Sequence, residues 1–449
     1  MEADQGKNVF VLGLDDFNHA ALSQSRDAEH IRFHPLLSHP EVQGADAYPV
    51  DVALEKCRER LRSYPGRIDA IMGYWDFPVT LLLPLLAREF GVPAPSFESI
   101  VRCEHKYWCR REGRRMVPDH TPTFRVVDPF DEESLNALDL GTPYWIKPIK
   151  SADAELAFRV REPKDLQRFL PQIRERIGRF SEPFDHLLQY GDLPEEVARI
   201  NGRHCLAEEE LSGRQCTVEG YVHDGTVHVH GIIDSYRYPG VSSFLRYEYP
   251  SRLAHRFQER LAGVSRRIIE GAGLDQSTWN IEFFVDERSG EAGVLEVNPR
   301  LSQSHSDMFR LVDGASNLEI AVALALGQKP EFPRGEGPYA AASKFYLRVF
   351  RDATVSRVPS PREIARIEER FPGTRINVTV EEGARLSDLW GQDSYSYRLA
   401  DIHMGASSPR RLLEKFRACR DVLPFEFDRE APDLAPLPMR RRRRATQRR

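Results

Sequence analysis

The strongest constraint in the sequence is a pair of short strand patterns within residues 279–300, joined by a turn-forming loop. Asn280 and Glu282 alternate with apolar residues in the first strand, and Glu296 and Asn298 do so in the second. If the hairpin turns in the middle of its loop, Glu282 faces Glu296 and Asn280 faces Asn298. The pattern therefore predicts an antiparallel pair with two glutamates opposed on one face.

Two opposed carboxylates repel each other, and a bound divalent cation would compensate that repulsion. Oxygen ligands from two acids and an amide suit Mg²⁺, which keeps its other positions for water and substrate phosphates. Glu282, Glu296 and Asn298 are therefore predicted metal ligands. The alternative is the solvated outer face of an antiparallel sheet, where these residue types are common.

The bulk composition limits the class of protein. A chain of 449 residues suggests two to four domains, and 41% hydrophobic with 29% charged residues is typical of a globular protein. No apolar run is long enough to span a bilayer, and no signal peptide is evident, so we expect a cytoplasmic protein without a membrane partner. The six cysteines show no metal-binding spacing and are expected to be reduced.

The charge distribution is uneven. The net charge is −5, although seven of the last ten residues are arginine. An acidic body with a short basic tail does not indicate a nucleic-acid-binding domain, so at most the tail would bind nucleic acid non-specifically. Residues 426–449 are predicted to be disordered.

The secondary-structure pattern changes along the chain. Strands at 9–13 and 69–73, with a helical pattern that ends at Gly91, predict a doubly wound parallel sheet in residues 1–100. No GxGxxG follows the first strand, so a dinucleotide fingerprint is absent. Short strands dominate from 101 to 330, and residues 331–425 are expected to form an α+β subdomain. The predicted class is α/β and α+β, multidomain.

Several motifs resemble the ATP-grasp superfamily. Residues 295–300, Leu-Glu-Val-Asn-Pro-Arg, are similar to its metal-binding signature. Further matching segments precede them in the expected order: 99–106 with Lys106, 144–148 with Lys147, the hinge-like 207–213, and a Thr-Val-Glu-Gly strand after it. The resemblance implies a pre-ATP-grasp Rossmann-like domain over 1–100 and an ATP-grasp domain over 101–330, with lobes of about 101–205 and 206–330.

The resemblance points to the branch with L-amino acid ligases and biotin carboxylase, and it implies an activity. ATP would phosphorylate a carboxylate, and an amine would attack the acylphosphate, with ATP and Mg²⁺ (or Mn²⁺) as cofactors. Lys106 and Lys147 would neutralise the nucleotide phosphates, while Arg300 would be the catalytic group that grips the carboxylate or acylphosphate. Small-molecule carboxylates and amines are the expected partners, and a homodimer is compatible with the resemblance.

The remaining site residues follow from the same resemblance. In the hinge, Glu208 and the backbone through Leu211 would bind adenine, and Glu209 or Glu210 would take the ribose hydroxyls. The substrate candidates are Arg246, Ser302 and His305, although His305 also fits a generic loop histidine. Glu219 would reach the substrate or a phosphate-binding lysine, or else lie on the surface across from another strand.

One segment departs from the family pattern. The family has a glycine-rich flap after its second lysine, whereas residues 149–158 contain no glycine and carry Lys150 with two acids. Two alternatives therefore stay open. One is an ATP-grasp enzyme with another acceptor, such as a biotin-carboxylase-like enzyme or a phosphotransferase. The other is a nucleotide-binding regulatory protein without turnover.

Overall fold

The computed structural model describes residues 6–43, 48–151, 155–241, 243–389 and 396–428. They divide into two compact units. The first comprises the chain up to Asp234 together with Tyr249–Gly337, and the second comprises Ser235–Glu248 together with the chain from Pro338. The second unit thus includes a segment, 235–248, that the predicted boundaries assign to the ATP-grasp domain.

The first unit begins with a three-stranded sheet in the order β2-β1-β3, in which both outer strands run parallel to β1. Its elements are β1 (Lys7–Leu14), α1 (Asp16–Leu22), β2 (Ile31–Ser38), α2 (His39–Gln43), α3 (Val50–Ser63), β3 (Ala70–Gly73) and α4 (Val79–Phe90). The predicted parallel sheet is confirmed. Gly91 ends α4 at a φ of 67°, the left-handed conformation that favours glycine at a helix C-terminus.

Two helices lead from this sheet to an antiparallel four-stranded sheet in the order β4-β7-β5-β6. The elements are α5 (Phe97–Glu104), α6 (Lys106–Met116), β4 (Phe124–Val127), α7 (Glu132–Asn136), β5 (Tyr144–Pro148), β6 (Phe158–Val160), α8 (Pro163–Arg176), α9 (Gly178–Leu188), α10 (Glu195–Ala198) and β7 (Cys205–Glu209). Tyr144 and Ile146 of β5 pack with Leu170 and Ile173 of α8. Strand alternation places Lys147 on the opposite face.

The rest of the first unit contains the strand order β12-β11-β8-β9, with antiparallel neighbours. The elements are β8 (Arg214–His223), β9 (Thr226–Arg237), β10 (Phe244–Tyr249), α11 (His255–Ala272), β11 (Ser277–Val285), β12 (Ala292–Asn298), α12 (Ser306–Asp313) and α13 (Asn317–Ala325); the end of β9 and most of β10 lie in the second unit. Helix α11 buries Leu261 and Ile268 in the core that contains Ile281 and Phe283. The polar residues of β8, β11 and β12 therefore share the other face.

The second unit is an α+β structure, as expected. It contains the antiparallel strand order β13-β16-β15, and its elements are β13 (Ala341–Val349), β14 (Val355–Arg357), α14 (Pro361–Arg370), β15 (Thr374–Val378), β16 (Tyr397–Ala406), α15 (Pro409–Arg420) and β17 (Glu426–Phe427). Phe345 stacks on Phe416 in its core, with ring centroids 3.9 Å apart. The regular structure extends into the predicted disordered tail at β17, and residues 429–449 lie outside the described part.

None of the helices in the described residues is long and apolar enough to cross a membrane.

Candidate active site

The strand pair of β11 and β12 has the register that the sequence predicts. The Cα atoms of Glu282 and Glu296 oppose each other, as do those of Asn280 and Asn298. A bulge follows, because the register shifts between Glu282 and Phe283 and leaves Leu295 without an opposite residue. The two predicted carboxylate ligands therefore lie side by side on the polar face.

Cationic and amide side chains compensate the opposed carboxylates. Lys106 Nζ lies 3.3 Å from Glu296 Oε1, and Gln215 Nε2 donates to Glu282 Oε2 at 2.7 Å. Partial burial opposes ionisation of Glu296, but Lys106 and Lys147 lower its pKa. The Glu296 side chain remains 40% exposed, so its carboxylate is accessible to a ligand from the cleft.

The Asn298 amide is oriented by its neighbours. Asn298 Nδ2 donates to Asn280 Oδ1 at 3.1 Å, and Asn280 Nδ2 donates to the Arg300 carbonyl at 2.9 Å. Asn280 thereby links the third predicted ligand to the segment that carries Arg300.

Glu208, in the hinge, is a buried counterion. Its carboxylate receives Arg110 Nε at 2.5 Å and Lys147 Nζ at 2.5 Å, and only 4% of the residue is exposed. Burial alone would raise its pKa, but the two cations outweigh burial and lower the pKa to about 2. Arg110 also donates to the Leu295 carbonyl at 2.5 Å, so it joins the hinge to β12.

The next hinge residues have separate partners. Glu209 accepts a hydrogen bond from the Thr123 backbone N–H at 3.0 Å, while Glu210 pairs with Arg159 of β6 at 2.6 Å. Leu211 packs against β12, where a Cβ atom added at Gly293 would lie 2.3 Å from the Leu211 side chain. The three acids thus point to three different environments, as expected for successive residues in an extended chain.

Arg300 lies at one end of a chain of alternating charges. Its Nη2 atom is 2.7 Å from Asp76, Lys150 Nζ is 3.3 Å from the same carboxylate, and Lys150 also pairs with Glu104. Burial raises the pKa of Glu104, whereas Lys150 and Arg300 hold the pKa of Asp76 well below its usual range despite burial. The lysine of the glycine-free segment is therefore anchored among carboxylates; residues 152–154 of that segment lie outside the described part.

The three substrate candidates lie in different surroundings. Arg246 belongs to the second unit, where Nη2 pairs with Glu248 at 3.0 Å and the guanidinium covers the Tyr236 ring at 3.8 Å. Ser302 and His305 belong to the first unit, and both contact Glu219. The alternative that Glu219 lies on the surface is wrong, because it is fully buried.

The cleft also contains residues that the sequence analysis did not single out. Arg110 lies one helical turn after Lys106, and this i, i+4 spacing on α6 is a signal for a shared face. Asp76 follows β3, and the carboxyl ends of parallel strands commonly carry site residues. The lining of the cleft includes Asp76, Glu104, Lys106, Arg110, Lys150, Glu296 and Asn298.

Comparison with known proteins agrees with this arrangement. A family model described as an ATP-grasp domain matches residues 140–307, which include β11, β12 and Arg300. This part of the chain is therefore similar to an ATP-grasp domain. The family resemblance of the motifs is thereby confirmed.

Solved ATP-grasp structures share the fold over nearly the whole chain. An L-amino acid ligase from Bacillus licheniformis superposes with a TM-score of 0.73 at 18% identity and covers 95% of this chain and 100% of its own. Biotin carboxylase from Campylobacter jejuni gives 0.62 at 13% identity, over 95% of this chain and 93% of its own. The predicted fold class is confirmed.

Curated relatives match only in part. The carbamoyl phosphate synthase large chain of Thermoanaerobacter pseudethanolicus is 28% identical over 223 residues, which are 46% of this chain and 20% of the relative. That of Bifidobacterium longum strain DJO10A is 31% identical over 127 residues, 28% of this chain and 11% of the relative. The chain thus spans about a fifth or less of the length of these relatives.

Proposed function

We propose that the protein is an ATP-dependent carbon–nitrogen ligase that activates a carboxylate as an acylphosphate and joins it to an amine. The observation that carries the proposal is the opposition of Glu282 and Glu296 across β11 and β12, with Glu296 beside Lys106 and in one cleft with Arg110 and Lys150. An acidic face next to cationic side chains suits a nucleotide triphosphate that arrives with divalent cations.

The donor set fits Mg²⁺. Two carboxylates and the Asn298 amide are hard oxygen donors, and Glu296 is partly exposed. The described residues contain no group of three or more His, Cys, Asp or Glu side chains arranged to hold a metal. A set of two acids and one amide instead suits an ion that takes its other ligands from water and phosphates. When bound, Mg²⁺ would neutralise the β- and γ-phosphates during phosphoryl transfer.

The phosphate-binding roles fall to the lysines. When metal and nucleotide enter, Lys106 can leave Glu296 for a phosphate oxygen, because the two groups lie 3.3 Å apart in the same cleft. Lys147, which Glu208 holds in place from one side, would contact the phosphates or the base. The hinge backbone through Leu211 would bind adenine, and Glu209 or Glu210 would bind the ribose.

Arg300 would bind the carboxylate or the acylphosphate. Its guanidinium pairs with the Asp76 carboxylate, and the same kind of charge-assisted contact to a substrate carboxylate supports this role. Asp76 would then have to share or release the guanidinium when the substrate binds. Ser302, His305 and Arg246 remain the candidates for contacts to substrate.

An ADP-release screen tests the proposal. Carboxylates are tested against amines with Mg-ATP, and products are identified by mass spectrometry. We expect ADP release that requires both substrates, together with a product mass equal to the two substrates less one water. ADP release with bicarbonate and no amine would instead favour the biotin-carboxylase-like alternative, and nucleotide binding without ADP release from any pair would favour the regulatory one. The predicted cytoplasmic location is not addressed by this screen and stays a prediction.

A further inference from the structure

A fully buried carboxylate lies on the metal-bearing face, one strand away from the predicted ligands. Glu219 belongs to β8, its Cα opposes that of Asn280 on β11, and its side chain is 0% exposed. Removing a carboxylate from water costs several kcal/mol unless hydrogen bonds or charges compensate for the lost solvation. The groups that compensate the lost solvation of Glu219 therefore indicate which part of the chain its carboxylate holds in place.

Its hydrogen-bond donors come from the segment that follows the metal-bearing strand. The Ser302 backbone N–H donates to Oε1 at 3.4 Å, and His305 Nδ1 lies 2.7 Å from Oε2. Asn317 Nδ2 donates both to Glu219 Oε1 and to the Ser302 carbonyl, the latter at 2.9 Å. The remaining neighbour is His230 of β9, whose Nε2 lies 3.8 Å from Oε1.

A hydrogen bond also holds the other end of the same segment. Ser306 Oγ donates to Asn317 Oδ1 at 2.6 Å, so one amide side chain connects the start of α13, the start of α12 and the loop before them. Residues 301–306, which we call the post-metal loop, are thus fastened to β8 through Glu219 and Asn317.

We propose that Glu219 is a positioning residue that fixes the post-metal loop, so that Arg300 and Ser302 are held where the carboxylate substrate is activated. The loop begins directly after Arg300, and the Asn280 side chain also holds the Arg300 carbonyl. His305 Nδ1 then fastens the loop to β8 through Glu219. This inference rests on the proposed ligase activity for its catalytic consequence, but the anchoring itself does not depend on it.

The chemistry explains why a carboxylate is suited to this task. A glutamine at this position would present one acceptor and one donor, and the donor would face either His305 or the Asn317 amide, which occupy the two oxygens of Glu219. Only an ionised carboxylate accepts from all these groups at once. The effect of losing it should therefore be local to the loop, since the strand pairing of β8 does not use the side chain.

The test compares Glu219→Gln and His305→Gln with the matched control His228→Gln, which alters a partly exposed histidine on β9 that stacks on Tyr221 outside this network. Each variant is assayed for Mg-ATP affinity by equilibrium binding, and for kcat and the carboxylate KM by ADP release. We expect the carboxylate kcat/KM of both test variants to fall by about 10–100-fold, with Mg-ATP affinity within about twofold of the parent, because a small displacement of the reacting groups has effects of that size. The carboxylate kcat/KM of the double variant should be no lower than that of the less active single variant. An equal loss of Mg-ATP affinity and carboxylate kcat/KM would overturn the proposal.

Hydrogen–deuterium exchange separates this inference from the proposed function, because it needs no activity. Residues 301–306 should exchange faster in Glu219→Gln and His305→Gln than in the parent, with β11 and β12 unchanged. Unchanged exchange in the post-metal loop would overturn the anchoring role even if the ligase activity is confirmed. Faster exchange would support it even if the protein proves to have no ligase activity.

Discussion

The hinge and the strand pair of β11 and β12 each place a glutamate next to a lysine, but the two environments differ. Glu208 in the hinge is 4% exposed and shared by Arg110 and Lys147. Glu296 on β12 has a side chain that is 40% exposed, and Lys106 Nζ lies 3.3 Å from its carboxylate. Both carboxylates are ionised, yet only one has room to exchange its partner for a ligand.

The difference separates buried charges, which are held in fixed ion pairs, from partly exposed charges, which can bind a ligand. A buried ion pair is costly to break, because the surviving partner stays in a low-dielectric site without compensation. A partly exposed pair contributes little, since water can replace either partner. We therefore assign Glu208 to holding Arg110 and Lys147 in place, and Glu296 to binding a ligand that enters the cleft.

The largest expected effect is on turnover in Glu296→Gln. The amide keeps the shape of the side chain but removes the charge that would hold the metal, so ADP release should fall by about 10²–10³-fold, as when a single electrostatic contact to the transition state is lost. Thermal unfolding should barely change. The matched control is Glu291→Gln, which alters an exposed acid in the same hairpin and should keep full activity. An active Glu296→Gln variant would show that the metal assignment is wrong.

The second expected effect is on stability in Glu208→Gln. Loss of this charge leaves Arg110 and Lys147 buried without their counterion, and the free energy of unfolding should drop by about 3–5 kcal/mol in urea titrations. Glu209→Gln is the control, because that neighbouring acid is exposed and accepts a hydrogen bond from the Thr123 backbone N–H, and it should cost less than about 1 kcal/mol. Equal stability of the two variants would contradict the assignment of Glu208 as a structural counterion.

The stability difference between the parent and Glu208→Gln depends on pH in a defined direction. The pKa of Glu208 is lowered in the folded protein from 4.5 to about 2, because the two cations outweigh the opposing effect of burial. Its stabilisation is therefore fully present above pH 4.5 and is lost as the pH falls towards 2. The stability difference between parent and Glu208→Gln should shrink over that range, and a difference that grows on acidification would contradict the lowered pKa.

The comparison also shows what the sequence could predict. The pairing of Glu282 with Glu296 followed from two alternating patterns and a short loop, which are local features that fix the register of a hairpin. The end of α4 at Gly91, which has a φ of 67°, was local in the same sense. Local signals therefore placed the acidic half of the site.

The ion pairs between distant residues could not be predicted in this way. Arg110 and Glu208 are 98 residues apart in sequence, and Asp76 and Arg300 are 224 residues apart. No periodicity connects residues that meet only when separate sheets and helices pack together. The resemblance gave Glu208 a role towards adenine, which stays a prediction; it gave no indication that the Glu208 carboxylate pairs with two cations.

The smallest expected effect completes the comparison. Lys106→Met removes the cation 3.3 Å from Glu296, yet it should change the free energy of unfolding by less than about 1 kcal/mol, because the partly exposed carboxylate regains water. Its nucleotide affinity should fall in equilibrium binding with Mg-ATP, since one phosphate contact is lost. If Lys106→Met instead destabilised the protein as strongly as Glu208→Gln, the pair with Glu296 would be structural, and the proposed release of Lys106 to the phosphates would be wrong. A small stability change with weakened nucleotide binding would place Lys106, together with Glu296, among the groups that exchange partners when the ligand binds.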